Sequence, residues 1–146
     1  MRRTLKAMAA AAAAAVCVLT TTAGTAQAEA PKPTSLYAPS ALVFTVGHGE
    51  DTATATVERA VTLTCAPRPA GSHPAAAAAC AELATVDGRF AELVGTESSV
   101  ACTKEWRPVV VTADGVWGGR HVQWSATFSN ACMMKAGLGE GVALTF

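Results

Sequence analysis

The stretch PVVVTADGVWGGRHVQWSATF, residues 108–128, contains two consecutive strand signals and is the strongest indication of the fold class. Apolar and polar residues alternate from Arg120 to Phe128, which is the two-residue period of a strand with one buried face. The apolar face comprises Val122, Trp124, Ala126 and Phe128, and the polar face comprises His121, Gln123, Ser125 and Thr127. Asp114-Gly115 predicts a turn, and Gly118-Gly119 predicts a bulge or a sharp turn. The stretch therefore predicts neighbouring antiparallel strands.

Two further alternating segments lie upstream, at residues 41–47 (ALVFTVG) and 57–65 (VERAVTLTC). Their apolar faces comprise Leu42, Phe44 and Val46 in the first segment, and Val57, Val61 and Leu63 in the second. The small and polar residues between them are typical of a hairpin loop. We expect the two segments to pair as a β-hairpin.

Helix signals occur twice. Residues 74–86 (PAAAAACAELATV) combine alanine-rich composition with a proline in the first turn, and Ser72 or His73 is the candidate cap. Residues 129–137 (SNACMMKAG) offer a capping residue and a terminal glycine, which predicts one short helix.

The last residues, VALTF at 142–146, have the composition of a final strand. With it the count is about five strands and two short helices. Strands that follow one another through turns favour an antiparallel sheet, and its apolar face needs helices to cover it. The sequence predicts an α+β domain with a single five-stranded antiparallel sheet.

The N-terminal residues 1–28 have the organisation of a secretory signal peptide. MRRTLK is basic, an alanine-rich apolar run continues to about Leu19, and AQA at 26–28 fits signal peptidase. The apolar run is shorter than the roughly 20 residues of a membrane span. We expect a secreted, extracellular protein with one domain over residues 29–146, of which 29–36 form a loose arm.

The charge of the mature chain limits its partners. Cleavage after residue 28 removes three of the 11 basic residues and none of the 11 acidic ones, which leaves 118 residues and a formal net charge of about −3. A negative net charge disfavours nucleic acid and anionic membrane surfaces. We expect neither as a partner.

Four cysteines remain after Cys17 leaves with the signal peptide: Cys65, Cys80, Cys102 and Cys132. An even number in an exported chain indicates two disulfides, for which three pairings are possible. We favour Cys65 with Cys80, which closes a short strand-to-helix segment, and Cys102 with Cys132, which pins the 101–107 segment to a downstream element. A zinc site is disfavoured because no cysteine pair has the close spacing of a zinc knuckle.

No pattern indicates an enzyme, a metal site or a cofactor. His48, His73 and His121 lack the close helical spacing of metal-binding pairs. No Gly-x-Ser-x-Gly motif occurs, and every mature cysteine has an expected partner, so no nucleophile stands out. We expect Trp117 and Trp124 to fill the core or a dimer face, with a sugar-stacking platform as the alternative.

The stretch ACTKEWRP, residues 101–108, combines features that a protease could bind. Cys102 tethers the backbone, Pro108 restricts it, and Thr103 favours an extended shape, which is the shape that a protease binds. Lys104 carries the positive charge that a trypsin-like specificity pocket accepts. The alternative is a charged loop that a structural disulfide happens to tether.

Four parts of the chain resemble the Streptomyces subtilisin inhibitor family. They are SLYAPSALVFTVG, ERAVTLTCAPRPAGSHPAAAAAC, DGVWGGRHVQWSATFSNAC and the segment from Cys102 to Pro108. The resemblance runs from about Ser35 to Phe146 with all four cysteines in place. It implies a tight, reversible inhibitor of secreted serine proteases, a five-stranded antiparallel sheet with two helices, and a homodimer.

The resemblance also implies the site. The reactive bond of the family corresponds to Lys104-Glu105 here. The best-known members have Met at the first of these positions and target subtilisin, whereas Lys104 shifts the expected preference toward trypsin-like enzymes. We therefore expect trypsin-like and subtilisin-like extracellular serine proteases as partners.

Roles around the bond follow from position. We assign Ala101, Cys102 and Thr103 to the upstream side of the protease cleft and Glu105, Trp106 and Arg107 to the downstream side. We expect Pro108 and Asn130 to support the loop. The alternative function is a secreted, non-inhibitory binding or scaffold protein.

Overall fold

Four antiparallel strands form one sheet in the computed structural model, which describes residues 38–95 and 100–146. The strands are β1 (Ser40–His48), β2 (Thr56–Ala66), β3 (Val109–Trp117) and β4 (Arg120–Phe128), and their order in the sheet is β2-β1-β3-β4. The helices are α1 (Ala76–Thr85), a 3-10 helix (Phe90–Leu93) and α2 (Ala131–Leu138). The α+β class, the antiparallel sheet and the two α-helices are confirmed. Residues 1–28 and 29–36, predicted as signal peptide and arm, lie outside the described residues.

The β3–β4 hairpin reverses at Gly118-Gly119 and not at Asp114-Gly115. Gly118 and Gly119 have φ of 55° and 77°, which suits a sharp turn. Asp114 and Gly115 instead lie inside β3, where they pair with β4 and also with β1. A Cβ at Gly115 would lie 2.3 Å from the carbonyl oxygen of Ala41. The glycine is therefore needed for the close approach of β1, and the predicted turn at 114–115 is wrong.

The predicted hairpin of β1 and β2 is confirmed, with one exception in its apolar face. Leu42, Phe44, Val61 and Leu63 are buried in the core. Val57 is 56% exposed, because a register shift between Val46 and Gly47 alters the alternation near the hairpin loop.

Helix α1 begins later than predicted and has no side-chain cap. Its N-cap is Ala75, whereas Ser72 accepts a hydrogen bond from the N–H of Thr62 on β2. The Nδ1 of His73 accepts from the N–H of Ala75, and its Nε2 lies 3.3 Å from the carbonyl oxygen of Ala143. His73 is thus a buried residue between α1 and the C-terminal segment.

The C-terminal segment 142–146 is not a strand, which corrects the predicted fifth strand. The carboxylate of Glu82 on α1 accepts hydrogen bonds of 2.7 Å from the N–H groups of both Val142 and Ala143. Ala143 and Leu144 are buried in the core. The segment has strand-like composition because it is buried, but its backbone donors bind a side chain instead of a neighbouring strand.

The two predicted disulfides are present. Cys65–Cys80 joins the end of β2 to α1, and Cys102–Cys132 joins the 101–107 segment to α2. The core lies between the apolar face of the sheet and the two helices, and includes Phe44, Leu83 and Leu138. Across residues 38–95 and 100–146, no helix is long and apolar enough to span a membrane.

Candidate functional site

Residues 101–107 form an irregular segment directly before β3. Six of the seven residues are exposed, and Cys102 is half-buried. Lys104 lies at the centre of the segment with Thr103 and Glu105 beside it. The segment therefore presents the basic side chain of Lys104 to solvent.

The upstream side of Lys104 is tied covalently to α2. The Cα atoms of Cys102 and Cys132 are 5.7 Å apart, and the bridge spans 30 positions of the chain. Since Cys132 is the second residue of α2, the tether leads to a regular element and not to another loop. By the chain-entropy account, a bridge of this span contributes about 3 to 4 kcal/mol to stability.

Asn130 binds the segment on both sides of Lys104. Its Nδ2 donates hydrogen bonds to the carbonyl oxygens of Thr103 at 3.0 Å and Glu105 at 2.9 Å. Only 6% of Asn130 is exposed, so the donor amide of these bonds is shielded from water. One amide group thus fixes the two carbonyl groups that flank Lys104.

The same Asn130 side chain begins helix α2. Its Oδ1 accepts a hydrogen bond of 2.9 Å from the N–H of Met133, which is the usual N-cap interaction. The cap uses the oxygen and leaves the amide N–H groups for the segment. The geometry of the loop is therefore coupled to the start of α2.

The downstream side has three further attachments. The N–H of Arg107 donates to the carbonyl oxygen of Ser129 at 2.9 Å, and the carbonyl oxygen of Pro108 accepts from the N–H of Gly49 at 3.1 Å. The indole Nε1 of Trp106 donates to the carboxylate of Glu50 at 2.9 Å, while 62% of Trp106 remains exposed. No local sequence signal marks the partners Ser129, Gly49 and Glu50, because each lies distant in the chain from the residue that it binds.

The other sequence candidates lie elsewhere or are buried. His48 pairs with Glu58 on β2 at 3.1 Å. Trp117 is 8% exposed, and its indole ring donates to Asp87 at 3.3 Å. Trp124 stacks on Phe90 with ring centroids 5.6 Å apart. These packed rings argue against a sugar-stacking platform, and in the described ranges no cluster of His, Cys, Asp and Glu could hold a metal ion.

Fold and site together define a small disulfide-bonded α+β protein that presents one exposed, braced peptide segment. The subtilisin inhibitor-like family matches residues 38–130 of the chain. The chain belongs to this family, and the family resemblance seen in the sequence is confirmed. The family consists of protease inhibitors, so the protein is not an enzyme.

Individual relatives cover most or all of the chain. The subtilisin inhibitor of Streptomyces violaceus is 73% identical over 146 residues, which is the full length of both chains. The transglutaminase-activating metalloprotease inhibitor of Streptomyces mobaraensis is 58% identical over 105 residues, which is 72% of this chain and 71% of that one.

A solved structure is also similar. Sermetstatin of Streptomyces caespitosus, crystallised in complex with Bacillus licheniformis subtilisin, is 46% identical. It covers 74% of this chain and 99% of its own, with a TM-score of 0.69.

Proposed function

We propose that the protein is a secreted inhibitor of extracellular serine proteases, and that it binds them through residues 101–107. The observation that carries this proposal is the Asn130 amide bonded to the carbonyl groups on both sides of exposed Lys104. The similarity to sermetstatin, crystallised with subtilisin, supports a serine protease as the partner. Residues 1–28 would direct export and be removed.

The proposed reactive bond is Lys104-Glu105. The serine of the protease attacks the Lys104 carbonyl carbon, the C–N bond breaks, and the Glu105 nitrogen leaves as an amine. Asn130 and the Cys102–Cys132 bridge hold the two new ends together, so the amine stays beside the acyl-enzyme. Attack by this amine reforms the peptide bond as an effectively intramolecular reaction, which water cannot match.

Tight binding follows from the same bracing. A segment that is ordered before it docks loses little conformational entropy on binding. Affinities of about nanomolar to picomolar, or about −12 to −16 kcal/mol, are then within reach of an ordinary interface.

Lys104 favours trypsin-like proteases. A trypsin-like pocket holds a buried acid that pairs with a lysine ammonium group. Proteases of the subtilisin type are the second proposed target, supported by the relatives named as inhibitors of subtilisin and by the subtilisin complex of sermetstatin.

Titration of trypsin and of a subtilisin with the mature protein tests the proposal. We expect stoichiometric loss of activity, and mass spectrometry of the complexes should detect cleavage at Lys104-Glu105 alone. Rapid digestion of the protein by both enzymes, with no loss of their activity, would refute it. The family resemblance also implies a homodimer, which we propose for this protein. Light scattering on the free protein tests it separately, since a monomer mass at micromolar concentration would exclude it.

A further inference from the structure

The loop between β1 and β2, residues 49–55, contacts the proposed reactive segment through a side chain. The Glu50 carboxylate accepts the hydrogen bond of 2.9 Å from the indole ring of Trp106. These residues lie 56 positions apart in the chain. Trp106 is the second residue after the proposed reactive bond, so the contact lies on the side from which the amine leaves.

Hydrogen bonds anchor the backbone at Glu50 and at the residue before it. Its carbonyl oxygen accepts a hydrogen bond of 3.1 Å from Thr127 Oγ1 on β4, and the preceding N–H of Gly49 donates to Pro108. Asp51 orders the rest of the loop, because its carboxylate accepts from the N–H groups of Ala53 and Thr54 at 2.9 Å each. The Glu50 carboxylate therefore extends from an anchored backbone.

Three consecutive residues on the downstream side of the proposed reactive bond, 105–107, are each hydrogen-bonded to a different residue. Asn130 binds the carbonyl oxygen of Glu105, and Ser129 accepts from the N–H of Arg107. Between them, the Glu50 carboxylate accepts a hydrogen bond from the side chain of Trp106. The ring remains 62% exposed and can still contact a protease.

From this arrangement we propose that Glu50 is a positioning residue, which orients the Trp106 ring so that the cleaved Lys104-Glu105 bond is resealed faster than it is hydrolysed. The inference rests on the proposed function. Re-formation of the peptide bond depends on the orientation of the Glu105 amine as it returns to the acyl-enzyme. A fixed Trp106 ring limits the rotation of the backbone that carries this amine. Loss of Glu50 should therefore increase hydrolysis in the complex more than it slows association.

Glu50→Ala and Glu50→Gln separate the hydrogen bond from the charge. The glutamine oxygen still accepts the indole hydrogen, whereas alanine cannot. Glu92→Ala is the matched control, because Glu92 is another exposed glutamate, and its carboxylate pairs with Arg89. Hydrolysis of the inhibitor in a trypsin complex is measured by mass spectrometry, and association by stopped-flow.

We expect Glu50→Ala to be hydrolysed about three- to tenfold faster than wild type, as the loss of one hydrogen bond implies, with association changed less than twofold. Glu50→Gln and Glu92→Ala should behave as wild type. In a Trp106→Phe background, Glu50→Ala should add no further effect, because the indole donor is already absent. Unchanged hydrolysis of Glu50→Ala, hydrolysis of Glu50→Gln as fast as that of Glu50→Ala, or additive effects in the double variant would each overturn the inference.

A measurement on the free protein distinguishes failure of the inference on Glu50 from failure of the proposed function. The indole N–H resonance of Trp106, assigned by its loss in Trp106→Phe, should shift in Glu50→Ala and not in Glu92→Ala. If wild type inhibits neither protease, the proposed function fails whatever the resonance does. If wild type inhibits and the resonance does not move, the inference on Glu50 alone is wrong.

Discussion

The side chain of Asn130 donates a hydrogen bond of 2.9 Å to the carbonyl oxygen of Glu105. Glu105 supplies the amine of the proposed reactive bond, and Asn130 is the N-cap of α2. The contact therefore links the downstream side of the proposed reactive bond to α2, the helix that also carries the Cys102–Cys132 disulfide.

Substitution of Asn130 should separate its role in the loop from its role in the helix. Serine is as good an N-cap as asparagine but is too short to reach two carbonyl groups of the loop, so Asn130→Ser should keep the cap and lose both loop bonds. We expect its hydrolysis by trypsin to be about 10- to 100-fold faster than that of wild type. Asn130→Ala should in addition lose about 1 kcal/mol of unfolding free energy, measured by urea denaturation. Slow hydrolysis of Asn130→Ser would contradict the role of the two bonds.

The two disulfides should differ in function although they contribute similarly to stability. The bridges span 15 and 30 positions, for which chain entropy predicts about 3 and 3.6 kcal/mol. Cys102→Ser with Cys132→Ser should convert the inhibitor into a substrate that trypsin digests. Cys65→Ser with Cys80→Ser is the control, which should lose stability but still inhibit at a temperature where it is folded. Equal inhibition by both double variants would show that the loop tether is unnecessary.

Replacement of Lys104 should change the target. Lys104→Ala removes the ammonium group that pairs with the buried acid of trypsin, and we expect trypsin inhibition about 100-fold weaker or more. Lys104→Met should lose trypsin inhibition and retain inhibition of subtilisin. Inhibition constants for both enzymes test this, with Lys135→Ala as the control because Lys135 is an exposed lysine on α2. Unchanged trypsin inhibition by Lys104→Ala would mean that the reactive bond lies elsewhere.

Two glycines with positive φ should tolerate alanine differently. At Gly88, with φ of 69°, a Cβ would lie 2.6 Å from the Trp117 ring, whereas at Gly118, with φ of 55°, nothing lies within 4 Å. Backbone strain alone costs about 1 to 2 kcal/mol, and the clash at Gly88 adds about 1 to 3 kcal/mol. Thermal unfolding should therefore rank Gly88→Ala well below Gly118→Ala, and equal midpoints would contradict the packing of Trp117 on residue 88.

Asp51 should titrate below its ordinary range. The backbone N–H of Thr54 is the main cause of its lowered pKa, because it donates to the carboxylate at 2.9 Å. Since the folded pKa lies below the unfolded one, the stabilisation is complete above the unfolded pKa and is lost as the pH falls through the folded pKa. An NMR titration of the Asp51 carboxyl carbon should show a pKa below the ordinary value of an aspartate, and an ordinary or raised pKa would contradict the bond.

The control for this titration is Asp51→Asn. Its amide oxygen can still accept from the N–H of Thr54 but does not titrate in this range. The amide resonance of Thr54 should follow the acid titration in wild type and stay constant in Asp51→Asn.

Local patterns in the sequence predicted most of the helices and strands. The predictions were wrong at two places where the same local composition is compatible with two different structures. Alternation located β1, β2 and β4, since a strand repeats its faces every two residues. The apolar segment 142–146 was wrongly predicted as a strand, because buried loops and strands can have the same composition. Asp114-Gly115 has turn chemistry, but Gly115 serves a close approach of two strands instead.

Sequence patterns alone predicted the family, four of the five expected strands, both helices, and a basic residue in a segment next to a cysteine. The groups that hold that segment became visible only in the folded chain. Asn130 binds Thr103 across 27 positions, and Glu50 binds Trp106 across 56. Periodicity and capping signals act over a few residues, whereas these bonds form only after the sheet and α2 have brought distant parts of the chain together.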